Sequence, residues 1–386
     1  MPSTQLFKFK KFSLTQEHSA LKIGTDAVLL GCSVNLCQPI TESGKPESNC
    51  HIAGNMERTH GTGFENAEQS IRILDIGTGC GIILLMLAQK AIEAGYRQID
   101  LTGIDIDSGS IADARTNAEF FAQTFGFTKH LSSTGNGTND FSYFKPARFL
   151  ECVQNSSSIE TCPENTVKLN MHLICISLQD FARTASDQYD IIASNPPFFI
   201  NSLKSAKSEE KIAKHNDSLP QENLAAGVEK LLASGGSFYL ILPPAEAQQF
   251  IKQLTAAPMK AFPQGTDSAQ NSNEIIIKSI VKFKTTAAKE AKRWVLSFEK
   301  YDRTQLLDGT LKVDKPTAEQ INESSIAVEK KENKRKERNK RDEEIEIREM
   351  VMMRSNESGK GPATTSSKKE AFTEEYLSFT KDFLLY

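Results

Sequence analysis

The chain predicts an α/β fold, a doubly wound and mainly parallel sheet, and three observations carry that expectation. Short β-branched runs alternate with helix-length apolar stretches, a glycine-rich turn joins the first such run to its helix, and carboxylates recur where the runs end. Residues 71–76 form the first run, which leads through the glycine turn into the apolar, helix-like stretch 82–90. Residues 99–106 read as the next strand, and 110–121 as a helix with Ile111, Ala114, Ala118 and Phe121 on one side. Strands follow at 171–178 and 190–193, then a helix at 221–232 and a strand at 237–242. Pro243-Pro244 breaks the pattern before a helix at 245–254. Two last strand-like runs, 275–283 and 294–299, are joined by the lysine-rich 284–292. So short a connection favours an antiparallel pair at one sheet edge.

Three stretches interrupt the alternation. Residues 41–70 hold only Ile52, Met56 and Phe64 as large apolar side chains, and 131–166 are dominated by Ser, Asn, Thr and Gly. Both read as loop insertions, tolerated because the entropy of closing a loop grows slowly with its length. Residues 312–370 contain the charged run 330–341 and cannot bury enough apolar surface to fold alone. They read as a disordered spacer or an exposed helix laced with charge pairs, with a basic arm that touches RNA phosphates as the alternative. The Phe-, Tyr- and Leu-rich end, 371–386, is expected to dock back on the domain. The 386 residues, which by length alone suggest two domains, thus reduce to one domain over 1–311 with polar additions.

Composition excludes several classes of protein. A formal net charge of −3 rules out a uniformly basic nucleic-acid binder but leaves local patches open. The longest unbroken apolar run, residues 82–88, is far short of the roughly 20 residues that span a bilayer. The opening Met1-Pro2-Ser3-Thr4-Gln5-Leu6-Phe7-Lys8 lacks the apolar stretch of a secretory signal, so a cytoplasmic protein away from membranes is expected. The 7 cysteines are odd in number and scattered without a CxxC pair, so neither a disulfide framework nor a metal site is indicated.

Chemistry concentrates at the strand ends. Leu74-Asp75-Ile76-Gly77-Thr78-Gly79-Cys80-Gly81 spaces its glycines as GxGxG, with an acid two residues ahead of the first and no P-loop lysine. That arrangement suits a nucleoside without phosphates: Asp75 attracts a cationic sulfonium cofactor and repels a pyrophosphate. The second strand ends in Gly103-Ile104-Asp105-Ile106-Asp107, where a carboxylate can accept both hydroxyls of a ribose, and Asp105 is the better placed of the two. Ser177-Leu178-Gln179-Asp180 closes the next strand, and Asp180 there can accept a hydrogen bond from an adenine amine.

The fourth strand runs straight into Asn195-Pro196-Pro197-Phe198-Phe199. Proline fixes φ and removes an amide donor, leaving carbonyls to face the crevice. The Asn195 side-chain oxygen and the Pro196 carbonyl then offer two acceptors to one planar NH₂ group, Pro197 stiffens the turn, and Phe198 lies against the ring that bears the amine. An aryl amine is a poor nucleophile because its lone pair is delocalised. Two acceptors favour the pyramidal form whose lone pair faces a methyl donor.

With these residues on hand, the chain resembles the class I S-adenosylmethionine-dependent methyltransferases, in the amino-methylating branch marked by Asn/Asp-Pro-Pro-aromatic. Further blocks narrow the likeness. Phe7-Lys8-Phe9-Lys10-Lys11-Phe12, His18, residues 21–31 around Gly24-Thr25-Asp26, residues 213–219 and Thr380-Lys381-Asp382-Phe383 are similar to the bacterial tRNA1(Val) adenine-37 N6-methyltransferase family. The resemblance implies a Rossmann-like sheet of seven strands, the last antiparallel, with S-adenosyl-L-methionine as cofactor and the N6 amine of a tRNA adenine as substrate. It also implies that Lys22, Thr25 and Asp26 lie near the cofactor's methionine end; Gly77, Gly79, Gly81 and Ile106 complete the expected cofactor set. Cys80 stands where the family commonly has Thr. Lys8, Lys10 and Lys11 on one side, and Lys282 and Lys284 on another, are the expected phosphate contacts, and His215 is left open between a surface role and a substrate contact. A monomer without an obligate protein partner is expected. Two other readings stay open at this level: N5-methylation of a glutamine in a translation factor, and a catalytically silent RNA-binding protein.

Overall fold

The computed structural model of the chain describes residues 5–19, 22–36, 70–131, 141–146, 166–197, 219–255, 273–302, 312–313, 342–343, 345–355 and 371–384. An N-terminal hairpin of β1 (Gln5–Lys8) and β2 (Ser13–Gln16) leads to α1 (Thr25–Ser33). The alternation then runs β3 (Ser70–Ile76), α2 (Ile82–Ala94), β4 (Gln98–Asp105) and α3 (Ser108–Thr124). Next come β5 (Thr128–Leu131), β6 (Phe141–Pro146), β7 (Thr166–Cys175), α4 (Leu178–Thr184) and β8 (Tyr189–Ser194). After them lie α5 (Gln221–Leu231), β9 (Leu232–Leu242), α6 (Pro244–Thr255), β10 (Asn273–Lys284) and β11 (Ala291–Asp302). Two short strands, β12 (Lys312–Val313) and β13 (Asp342–Glu343), pair with each other, and β14 (Glu346–Val351) and α7 (Glu374–Thr380) end the order.

The main sheet has strand order β14-β10-β11-β9-β8-β3-β4-β7-β6-β5. Its inner seven strands, β10 to β7, form the doubly wound arrangement, all parallel except β11, which runs antiparallel to both β9 and β10. Alternating side chains serve the two faces. On β3, Ile71 and Ile73 join the cluster packed by α1, α2, α3 and the hairpin, whereas Leu74 and Ile76 join the cluster packed by α4, α5 and α6. Ile111, Ala114, Ala118 and Phe121 of α3 are all buried, as their spacing predicts.

The sheet departs from seven strands at both edges. β6 and β5 extend it antiparallel beyond β7, built partly from the region read as a polar insertion, with Tyr143 buried. At the other edge β14 lies parallel to β10, so the β10–β11 pair is not outermost. Residues 345–355 therefore do not follow the expectation of a disordered spacer or exposed helix. In Ile345-Glu346-Ile347-Arg348-Glu349-Met350 a period-two apolar pattern sits inside a charged stretch: Ile345 and Ile347 pack on one core cluster and Met350 is buried in the other. The C-terminal segment crosses back over the N-terminal side, with Tyr376 and Phe383 buried and the Lys10 amide donating to the Phe383 carbonyl at 2.8 Å. Nearly all of the region 41–70, most of 131–166, much of 312–370, and also Phe198, Phe199 and His215, lie outside the described residues.

Candidate active site

The parallel strands β7, β4, β3, β8 and β9 end together, and the candidate residues follow at those ends. The β3–α2 turn comes first. Its Gly77 and Gly79 take φ of 73° and 55°, values a side chain resists, and a Cβ built on either meets no atom of the described residues beyond its chain neighbours within 4 Å. The backbone there borders open space, the shape of a cradle for a ligand. Gly81, also at positive φ, sits at the N-cap of α2 and faces Ala114. The amides of Gly77 and Thr78 both donate to the Ile104 carbonyl, at 2.9 and 3.0 Å, which fastens the turn to the end of β4.

Asp75 is fully buried beneath this turn. Thr78 Oγ1 donates to its Oδ2 at 2.8 Å, while Oδ1 is enclosed and, among the described residues, has no hydrogen-bond partner. Burial is the main cause that lifts its carboxyl to about 7, and the charge of Asp105 adds to the rise. An enclosed acceptor without a donor, under an open glycine cradle, fits a cationic ligand.

Asp105 holds one backbone amide on each oxygen, Gly79 N–H on Oδ2 and Asp107 N–H on Oδ1, both at 2.9 Å. Each oxygen retains a lone pair, so the side chain is oriented and still able to accept two hydroxyls. Burial raises its pKa. Asp107 is spent differently: it caps α3, accepting from the Gly109 and Ser110 amides and from Ser110 Oγ. That division of labour agrees with the preference for Asp105. Ile106 is 47% exposed, a rare apolar surface among the described residues and suitable for lying against a base.

Asp180 is placed less simply than the sequence suggests. β7 ends at Cys175, and Asp180 sits in the first turn of α4, exposed, with its carboxylate held by Arg183 and by Ser177 Oγ at 2.6 Å. It flanks the crevice through the neighbouring strand end, where Ile176 N–H donates to the Asp105 carbonyl at 2.9 Å. To receive an adenine amine it must share oxygens already engaged.

The Asn-Pro-Pro segment adjoins the glycine turn. Ser194 pairs in register with Ile76, and its hydroxyl donates to the Ile76 carbonyl at 2.9 Å, so Asn195 and Gly77 emerge side by side. Pro196 is buried and Asn195 half-buried, and no described residue hydrogen-bonds the Asn195 side chain. An amide at this strand end, beside the glycine turn, is placed to receive a planar amine.

Thr25 is exposed as the first residue of α1, and Asp26 forms an ion pair with Arg293 Nε at 2.6 Å. Residues that sequence reasoning missed secure the strap before α1. Asp113 of α3 accepts from the amides of His18 and Ser19, from Ser19 Oγ at 2.6 Å and pairs with His18 Nδ1 at 2.9 Å. Burial alone would raise its pKa, but these hydrogen bonds outweigh it and hold the carboxyl at about 2. Asn117 is buried, exchanges hydrogen bonds with the Thr15 backbone, and donates to the Cys80 carbonyl at 2.9 Å, tying β2 to the glycine turn. Polar side chains on the buried face of a helix, Asp113 and Asn117 one turn apart, are the signal that marks them in the sequence.

The expected phosphate contacts are largely engaged elsewhere. Lys11 pairs with Glu93 near the far end of α2, and Lys10 reaches the Lys381 carbonyl, so both lie about a helix length, roughly 20 Å, from the glycine turn. Lys282 is buried with its ammonium over the Trp294 ring, and Lys284 pairs with Glu349 at 2.8 Å. Cys80 is buried and its thiol pushed up to about 11, which makes it a packing residue. Among the described residues no group of His, Cys, Asp and Glu could hold a metal ion, and no helix is long and apolar enough to cross a membrane.

No family model matches the chain. Individual relatives do. It is 29% identical over 244 residues to the tRNA1(Val) (adenine(37)-N6)-methyltransferase of Trichodesmium erythraeum, covering 63% of this chain and 70% of that one. It is 29% identical over 245 residues to the protein of the same name from Parabacteroides distasonis, covering 64% and 69%. Among solved structures it is similar to a T. thermophilus 16S rRNA methyltransferase in complex with AdoMet and guanosine, with 15% identity, a TM-score of 0.38 and coverage of 77% and 51%. That last likeness is too loose to bear on fold or function.

Proposed function

We propose that the chain transfers a methyl group from S-adenosyl-L-methionine to the N6 amine of an adenine in tRNA, with adenine 37 of tRNA1(Val) as the target. The observation that carries this reading is the emergence of Asn195-Pro196-Pro197 beside the Gly77–Gly79 turn, in a chain similar to enzymes named for that reaction. When bound, S-adenosyl-L-methionine supplies an electrophilic methyl group on a sulfonium. In this reading Asp75 provides negative charge beneath the glycine turn, Asp105 accepts the ribose hydroxyls, Ile106 lies against the adenine ring, and Thr25 and Asp180 border the ends of the site.

Asn195 Oδ1 and the Pro196 carbonyl accept the two hydrogens of the substrate amine. This turns the nitrogen lone pair toward the glycine turn, and Phe198 covers the base. No strong base is required, because the amine proton becomes acidic only as the new N–C bond would form and the sulfonium S–C bond would break to leave a neutral thioether; the proton is then lost to solvent water while Asn195 Oδ1 and the Pro196 carbonyl hold the amine in place. An anticodon-loop adenine is unstacked at a cost of about a few kcal/mol, within reach of such a pocket. The protein acts in the cytoplasm as a monomer, with residues 1–311 as its catalytic domain and 371–386 docked on it.

Incubation with a labelled methyl donor and either tRNA lacking the modification or a protein extract tests the reading. Label in tRNA, recovered as N6-methyladenosine, is expected. Label in protein would move the assignment to glutamine methylation, and label in neither would leave a binding protein without catalysis.

A further inference from the structure

The substrate half of the sheet's carboxyl edge ends in a basic turn that the methyl-transfer chemistry does not use. β11 is antiparallel to β9, with Trp294 opposite Leu242 at the carboxyl end of β9, so residues 285–293 rise past the strand ends where Asn195 emerges. The register puts Ser194 opposite Leu240, which places Lys292 about three residues, roughly 10 Å, above the level of Asn195. β11 is two strands from β8, so the lateral separation is also about 10 Å. The turn therefore stands beside the strand end that carries Asn195.

Its charges sort into two groups. Lys284, Arg293 and Arg354 are held: Lys284 by Glu349, Arg293 by Asp26, and Arg354 by the Phe372 carbonyl. Lys289 and Lys292 are exposed, and among the described residues neither ammonium has a hydrogen-bond or ion-pair partner. Glu290 is the remaining acid on the turn. Among the described residues five cations face three acids here, whereas the cofactor half of the same edge carries Asp75, Asp105, Asp107 and Asp180, with Arg183 against the last. The turn itself is stiffened by the Lys289 amide donating to the Thr286 carbonyl at 3.0 Å and by the burial of Thr286.

We propose that Lys289 and Lys292 of the β10–β11 turn contact the phosphates flanking the target base, so that the RNA strand approaches the crevice over this turn. The proposal rests on the RNA reading above. It replaces the opposite end of the molecule as the phosphate surface: the groove of about 460 Å³ near Leu6, Lys10, Lys11 and Phe120 lies at the foot of α3, where Lys11 is neutralised by Glu93. A base in the crevice has its neighbouring phosphates within a few nucleotides of Asn195, and the basic turn is within that reach. The foot of α3 is not.

The test compares the parent protein with Lys289→Gln/Lys292→Gln and with Lys289→Arg/Lys292→Arg, measuring tRNA binding across about 50 to 200 mM salt alongside methylation kinetics. Each single-strand phosphate contact contributes about 0.7 to the slope of log affinity against log salt, so the Gln pair should flatten the slope by about 1.4. It should also raise the KM for tRNA by about tenfold, leaving cofactor binding and thermal melting at parental values; the Arg pair should restore both readouts. If the parent methylates tRNA and the Gln pair keeps the parental slope and KM, the proposed contact is wrong and the functional reading survives. If the parent neither binds nor methylates tRNA, both fall.

Discussion

Along the carboxyl edge of the sheet, the half built on β3, β4 and β7 presents Asp75, Asp105, Asp107 and Asp180, whereas the half built on β11, β10 and β14 presents Lys284, Lys289, Lys292, Arg293 and Arg354. The two halves differ in setting as well as in sign. Asp75 and Asp105 are enclosed and held by Thr78 and by backbone amides, so their charge state responds to burial and to whatever occupies the glycine cradle. Lys289 and Lys292 stand in water, where their fields are screened within about 10 Å at ordinary salt. Cofactor binding should therefore follow pH and ignore salt, while RNA binding should follow salt and be indifferent to pH in the neutral range.

The largest expected effect lies on the boundary between the halves. Asn195→Ala should lower methyl transfer on the order of 10²–10³-fold, in line with loss of one group aimed at a reacting centre, while equilibrium dialysis shows cofactor affinity unchanged. Parallel loss of both would move Asn195 into the cofactor site and erase the boundary. Next in size is Gly79→Ala. Placing a side chain at φ 55° costs about 1–2 kcal/mol of stability, and the added methyl enters the open cradle. Gly95→Ala is the matched control: Gly95 has φ 92° and equally open surroundings, but caps the far end of α2. Both variants should melt lower by a similar amount, and Gly79→Ala alone should lose cofactor affinity, by about tenfold or more. Equal cofactor loss in the two would show that the cradle is not where the ligand binds.

The contrast between the halves also explains what the sequence disclosed. Asp75, Gly77, Gly79, Asp105 and Asn195 were legible because local rules place them: a strand must end, a glycine must turn, and the next acid falls in the crevice. The inner seven strands were legible for the same reason, through their alternation with apolar helices. The basic half was not. β14 hides its period-two pattern among Glu and Arg, and its pairing with β10 brings together residues about seventy positions apart, so no local signal announces it. Lys282 and Lys284 look in sequence like free phosphate ligands. Only the fold puts the first over Trp294 and the second against Glu349. Asp180 shows a shorter range effect: the strand stops at Cys175, and a helix begins at Leu178 that pairs Asp180 with Arg183.

The smallest effect sharpens the pH side of the contrast. Among its protein neighbours the carboxyl of Asp75 is lifted from its ordinary 3.8 to about 7, mainly by burial. Folding thus retains a proton that the unfolded chain releases, and stability falls as pH rises from about 4 through about 7. Ligand binding runs the other way. A cation beside Oδ1 favours the ionised carboxylate, so affinity should climb with the ionised fraction, about tenfold between roughly pH 6 and 8, with a proton released at the lower pH. Calorimetric titration with S-adenosyl-L-methionine in buffers of different ionisation enthalpy measures both quantities. Asp75→Asn should bind more weakly and without pH dependence, because its side chain cannot ionise. A parent protein whose affinity stays flat across this range would mean that Asp75 keeps its proton when the ligand is bound, and that the enclosed oxygen is satisfied by a neutral donor rather than by charge.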